Sequence, residues 1–245
     1  MKFTDEDIEK MLNVFSALKL ADIDSCLISE GQIRGMNEAQ NGLILSALEM
    51  SFSPELQIGI KRVGELDKRL ALFSDKISLE CEFSATNAVT ARKLNIAAKS
   101  GKIDFRCSSA SLIVYPKSMQ DTPAAVLTLT KEEGALISKA VKTLGTTRIK
   151  VVIHKDGRLH FESSDSTNDI FELDAVAPVQ FIDAGFSALN KYDTSNSGIF
   201  LKLLEHCVRV TEQNVELVLT QAGNMIFNVH GHDIIVVSKI DNDRG

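Results

Sequence analysis

Tryptophan is absent from this chain, tyrosine occurs twice and proline four times in 245 residues. So few flat rings exclude the stacking platforms on which single-stranded nucleic-acid binders rely. Cysteine is scarce too: Cys26, Cys81, Cys107 and Cys207 are widely spaced, with no CxxC pair. That spacing argues against a disulfide scaffold or a zinc site. It fits buried thiols in a reducing cytoplasm. The longest apolar runs, residues 42–48 and 234–237, fall far short of the roughly 20 residues that cross a bilayer, so no membrane association is expected. No apolar segment follows a basic one near Met1, so no secretory signal is expected either.

The motifs of catalysis are missing as well. There is no Walker loop, GxSxG elbow or HExxH. Lys99-Ser100-Gly101-Lys102 lacks the upstream glycine and following helix of a phosphate loop. His230 and His232 flank Gly231 and read as edge-strand positions rather than half of a metal site. The paired acids Glu132-Glu133, and Glu80 with Glu82, read as helix-start charge and outward strand positions. No catalytic residue, metal or cofactor is assigned, and the chain reads as non-enzymatic.

What remains is globular. Hydrophobic residues make up 44% and charged residues 24%, which excludes wholesale disorder. The net charge is −6, whereas a protein that grips DNA by overall attraction is expected to be basic. Any nucleic-acid contact must then use positive charge confined to one face.

The most informative feature is an internal repeat. Thr4 and Thr130 each open an acidic, apolar-periodic helix, an offset of 126 residues, with the acids in the first turn where the helix dipole favours them. At that offset Phe15 meets Val141, Leu18 meets Leu144, Leu27 meets Ile153, Gly31 meets Gly157 and Ile44 meets Ile170. The two glycines sit between period-2 apolar segments, which predicts hairpin turns. A second helix is predicted by Val63, Leu66, Leu70 and Phe73 in one half, and by Ile199, Phe200, Leu203 and Cys207 in the other. The latter follows a polar stretch, residues 191–197, read as an insertion. Hairpins are expected around Gly101 and Gly223, with Phe105 matching Phe227 and Ile113 matching Ile235 at an offset of 122. The reading is α+β: two similar domains, residues 1–118 and 124–245, joined by a proline-flanked linker at 119–123.

Helical wheels locate the positive charge. Lys131, Lys139 and Lys142 cluster opposite Ile137, Val141 and Leu144, and Lys61 and Lys68 lie opposite Val63, Leu66 and Leu70. On the first helix Lys10 shares its face with Glu6 and Glu9. The fourth carries Lys202, Glu205, His206 and Arg209 around a broad apolar stripe. Solvated surface is the ordinary role of such lysines. Their setting favours more: residues 121–245 hold 12 basic against 17 acidic side chains, yet include the basic face Lys131, Lys139, Lys142. Localised charge on an acidic body suits weak phosphate contact without strong adhesion.

With these features in place, the chain resembles the DNA sliding clamps, and most closely those of T4-type bacteriophages. The resemblance rests on Glu9-Lys10-Met11-Leu12-Asn13-Val14-Phe15-Ser16, on Leu27-Ile28-Ser29-Glu30-Gly31-Gln32-Ile33, on Ser100-Gly101-Lys102-Ile103-Asp104-Phe105 running to Ile113-Val114-Tyr115-Pro116, and on the closing hairpin of residues 222–240. It implies clamp-type domains with antiparallel sheets outside and two helices on the inner face. It also implies a closed homotrimeric ring around duplex DNA, with Lys10, Lys61, Lys68, Lys131, Lys139 and Lys142 facing the DNA. Such a ring tethers the replicative DNA polymerase, is opened by an ATP-dependent clamp loader and, in phages of this type, supports late transcription through factors associated with RNA polymerase. Strands near residues 103–114 of one subunit and 169–176 of the next would close the ring, since edge strands need partners. Met36, Met119 and Val126 are candidates for a partner-peptide groove near the linker. The competing reading is a non-enzymatic two-domain oligomer, such as a transcription accessory protein, that never surrounds DNA.

Overall fold

The computed structural model describes residues 1–51, 53, 55–73, 76–85, 89–116, 122–183, 191–196, 198–237 and 239–240. Contacts divide the chain into two units, Met1–Met119 with His230–Asp233, and Gln120–Val229 with Ile234–Gly245.

The first unit opens with α1 (Asp5–Leu20). Thr4 caps it: its Oγ1 accepts the Asp7 N–H at 3.1 Å, while Asp7 Oδ2 accepts the Thr4 N–H at 3.0 Å, a reciprocal capping box. Ile8, Met11, Val14, Phe15 and Leu18 recur at helical spacing and are buried. The helix is followed by β1 (Cys26–Ser29), β2 (Gln32–Met36), β3 (Gly42–Ala47) and β4 (Ile58–Ile60), an antiparallel group in the order β3-β2-β1-β4. Glu30 and Gly31 turn β1 into β2 with φ of 55° and 69°, the positive values that a two-residue hairpin needs and that glycine adopts without strain. Next come α2 (Val63–Leu70) and an antiparallel sheet of β5 (Ser78–Phe83), β6 (Ala91–Ala98) and β7 (Gly101–Arg106). Phe73 lies beyond the last turn of α2, so the helix ends earlier than its apolar spacing predicts.

The second unit repeats the order. β8 (Pro123–Thr130) leads into α3 (Lys131–Thr143), then β9 (Ile149–His154), β10 (Leu159–Ser164) and β11 (Ile170–Asp174). After the short β12 (Gln180–Phe181) come β13 (Lys191–Asn196), α4 (Gly198–Val210), β14 (Asn214–Thr220) and β15 (Met225–Val229). A turn at His230-Gly231, both with positive φ, leads to β16 (His232–Val236), and β17 (Lys239–Ile240) pairs with β13. One group of strands runs β11-β10-β9-β13-β17 and another β12-β8-β14-β15. The core holds Phe161, Phe200 and Phe227, with Phe200 and Phe227 edge to face at 5.2 Å.

Two expectations are corrected here. Residues 191–196 are not an insertion: they form β13, which pairs with β9 as β4 pairs with β1. The offset of 122 also joins the wrong strands, because Phe105 lies on the third strand after α2 and Phe227 on the second after α4. Counting strands matches Gly101 to Gly231, an offset of 130. The offset of 122 sets the β6–β7 turn on the β14–β15 turn, one strand too early in the second half.

Gly134 fixes how closely α3 meets α4. A methyl group there would lie 2.5 Å from Val208 Cγ2 and 3.5 Å from Leu204 Cδ1. Alanine is the better helix former by about 1 kcal/mol, but overpacking costs about 1–3 kcal/mol. Gly134→Ala is expected to lower stability by about 1 kcal/mol net, read as a drop in Tm of a few degrees. A rise in Tm would show that the helices part freely.

Asp7 is 1% exposed and has a second duty: Oδ1 accepts the Ser51 N–H at 2.8 Å, and Oδ2 accepts the Ser51 hydroxyl. Burial alone would raise its pKa, but the hydrogen bonds from Ser51 and Thr4 outweigh burial and hold it below the ordinary 3.8. A depressed folded pKa contributes stability above the unfolded value, and that stability is lost as pH falls through the folded value. Asp7→Asn should therefore lose about 1–3 kcal/mol at neutral pH. Its denaturation midpoint should also change less than the wild type's between pH 4 and pH 2. Parallel acid limbs would assign the acid sensitivity elsewhere.

Candidate nucleic-acid face and sheet edges

The six lysines singled out by helical spacing differ in how free their charges are. Lys10 on α1 sits 2.8 Å from Glu6 Oε1 and donates to the Glu49 carbonyl at 2.8 Å, and the Glu6 carboxylate raises its pKa. Lys131, half-buried at the start of α3, donates to the Thr211 carbonyl at 3.0 Å. Lys142 is paired with Glu205 of α4 at 2.5 Å. Lys61, Lys68 and Lys139 are exposed and make no ion pair with a described residue. Lys61 precedes α2 instead of riding on it, since the helix starts at Val63.

Sequence reasoning missed Lys19, in the last turn of α1, whose Nζ lies 2.6 Å from Asp67 of α2. Its only sequence signal is a basic residue at a helix C-terminus. Arg62 and Arg69 are also withdrawn from a simple basic face. Their guanidinium groups lie 5.5 Å and 5.3 Å from the Phe105 ring centroid, and both meet Glu65. Some of the positive charge on these helices is thus neutralised locally, while Lys61, Lys68 and Lys139 stand outside the ion pairs of the described residues.

The two segments expected to close a ring both lie at sheet edges. Among the described residues β7 pairs only with β6, and β11 only with β10. Each edge leaves backbone N–H and C=O groups on one side without a ladder partner. Their side chains differ in sign. On β7, Lys102, Asp104 and Arg106 are exposed, and Asp104 is taken up by Lys93 at 3.1 Å. Around β11, Asp169, Glu172 and Asp174 are exposed, and among the described residues only Asp174 is paired with a basic group, His160 Nδ1 at 2.8 Å. Both edges carry apolar side chains in solvent: Leu112 and Val114 follow β7, while Ile170 and Val176 border β11, Val176 being 83% exposed. The two edges are thus unlike in charge, one net basic and the other acidic, with exposed apolar side chains near both.

The partner-groove candidates are not brought together by any described feature. Met36 is half-buried on β2, Val126 is half-buried on β8, and Met119 lies outside the described residues. The first unit does hold an apolar pocket of about 200 Å³ bordered by Ile28, Gly31, Leu48, Met50 and Leu56, which excludes Met36. His232 Nδ1 is 3.2 Å from Ser46 Oγ, and burial lowers its pKa. Burial pushes the thiols of Cys81 and Cys207 up to about 11 and that of Cys107 to about 12, far from a nucleophile's range. Among the described residues no three His, Cys, Asp or Glu side chains are grouped to hold a metal ion, and no helix is long and apolar enough to cross a membrane.

No protein-family model and no curated protein matches the sequence. Solved structures do match the fold. Proliferating Cellular Nuclear Antigen from Entamoeba histolytica aligns over 97% of both chains at a TM-score of 0.63 and 15% identity. The PCNA of A. fulgidus, solved with the C-terminal region of FEN-1 bound, aligns over 99% of this chain and 100% of its own at 0.64 and 14%. The DNA polymerase III subunit beta from Pseudomonas aeruginosa aligns over all of this chain and 66% of its own at 0.65 and 12%. The fold is the clamp type. Antiparallel sheets with two helices per unit are therefore as the sequence resemblance implies.

Proposed function

We propose that this chain is a DNA sliding clamp, a non-enzymatic protein that closes head to tail into a homotrimeric ring around duplex DNA and tethers a replicative polymerase. The observation that carries the reading is the near full-length fold match to nuclear antigens of this type from two organisms. The two unlike open edges, β7 and β11, support it as the means of closure.

Holding by closure sets a requirement on charge. A ring that slides must touch phosphates weakly, because each neutralised phosphate adds salt-sensitive, non-specific affinity. Lys10, Lys131 and Lys142 are restrained by neighbours, and Lys61, Lys68 and Lys139 are left to meet phosphates, which suits a loose grip. The DNA-facing role of all six is part of this proposal. So are a loader that opens the ring using ATP and, following the T4-type resemblance, a role in phage late transcription. The peptide of FEN-1 on A. fulgidus PCNA is a precedent for partner peptides docking on this fold. Met36, Met119 and Val126 are the positions proposed for such a groove.

Sedimentation equilibrium should give a trimer mass. After loading, the protein should stay on nicked circular DNA and run off linear DNA of the same length. Equal retention on both would favour the oligomer that does not encircle DNA. Lys68→Glu and Lys139→Glu should lower retention on circles several-fold and flatten its salt dependence, with the oligomer unchanged. Lys142→Glu should do less than Lys139→Glu, because Glu205 already neutralises Lys142. Loss of the oligomer in the Lys139 variant would place that face at a subunit contact.

A further inference from the structure

The start of α3 and the end of β11 are tied by one carboxylate. Glu133 is the third residue of α3 and 8% exposed. Its Oε2 accepts the Thr130 N–H at 2.7 Å, completing a capping box with the Thr130 hydroxyl. Its Oε1 is free of that duty and accepts the Val176 N–H at 2.7 Å, 43 residues along the chain. Val176 is two residues past β11, and its side chain is the most exposed large apolar group among the described residues. The neighbouring Ala175 N–H is bound to the Leu159 carbonyl at 2.8 Å, so two successive backbone groups are pinned while the valine side chain is left in water.

The first unit contains the same device at the repeat offset of 126. Asp7 caps α1 and takes the Ser51 N–H with its second oxygen at 2.8 Å. There the captured residue is a polar serine whose hydroxyl also returns to Asp7. In the second unit the captured residue is an apolar one beside an open edge. Holding a loop needs no exposed valine. Covering it with a partner would remove apolar surface from water, a gain that scales with the area covered.

We infer that Glu133 is a positioning residue for self-association: it presents the end of β11 and Val176 to the β7 edge and the Leu112–Val114 segment of a second copy. This rests on the head-to-tail closure proposed above. The occupant is chosen by charge and shape. The β7 edge offers Lys102 and Arg106, without described acidic partners, to Asp169 and Glu172, and the segment that follows β7 offers exposed Leu112 and Val114 to Ile170 and Val176. A gain made in the assembly, through a group that contributes nothing apolar to the lone chain's core, is what separates this role from ordinary loop anchoring.

The test is a double-variant cycle on the full chain, read by sedimentation and by chemical denaturation of the dissociated protein. Val176→Ser should weaken association by at least 10-fold and leave denaturation unchanged, because its side chain lies in solvent. Glu133→Gln keeps the shape but cannot accept well from both Thr130 and Val176. It should weaken association comparably. In the double variant the association constant should be close to that of either single variant, since both remove the same contact. Multiplicative losses would overturn the inference by assigning Glu133 to fold stability alone, as would unchanged assembly of Val176→Ser. A monomeric wild type would remove the ring closure itself, and an oligomeric wild type with unaffected variants would remove only this role of Glu133.

Discussion

Each unit depends on one constraint: its helices and its sheets must hide the same apolar atoms from water. The stripes Ile8-Met11-Phe15-Leu18 of α1 and Ile137-Val141 of α3 are essentially dry, and burial of this kind is the dominant favourable term in folding. Once the stripes are committed to the core, the opposite helical faces are the places left for charge. Antiparallel sheets of limited width leave edges, and among the described residues β7 and β11 are edges that carry charge of unlike sign. The arrangement of lysines and of edges thus follows from where the core had to be.

Much of this is readable before the fold is known. The repeat holds at an offset of 126 from Thr4/Thr130 through Asp7/Glu133 and Gly31/Gly157 to Ile44/Ile170, because the distance along the chain from helix cap to first hairpin turn is the same in both halves, although α1 runs longer than α3. It fails afterwards because the connections differ, with β12 inserted in only one half. The polar run Lys-Tyr-Asp-Thr-Ser-Asn at 191–196 shows no strand pattern, and what makes it β13 is its neighbour β9, with Val151, Val152 and Ile153 already in the core. Strand character is set by such context more than by composition.

The candidate site divides in the same way. Helical spacing identified which lysines leave the core, and Lys68, Lys139 and Lys142 are exposed as that spacing requires. It had no access to partners across elements. Lys142 meets Glu205, Lys19 meets Asp67 and Glu133 meets Val176 over separations of 63, 48 and 43 residues. The sequence shows Thr130 opening α3 with Glu132 and Glu133 as helix-start charge, but the second acceptor oxygen of Glu133 is taken by a loop that only the folded chain brings near. Open edges were invisible for a related reason, since being unpaired is a property of the whole strand order.

The unlike edges also decide what kind of symmetry copies of this chain can share. A two-fold axis through the middle of β11 would set Glu172 against Glu172 at close range. Like charges brought together in this way are repelled, so pairing of that edge with itself is disfavoured, and the proposed head-to-tail closure would set every copy in a single sense. Any closed set built by that rule has a front and a back that are chemically distinct. A protein arriving from one side would meet the same surface on every copy, and one arriving from the other side would meet none of it.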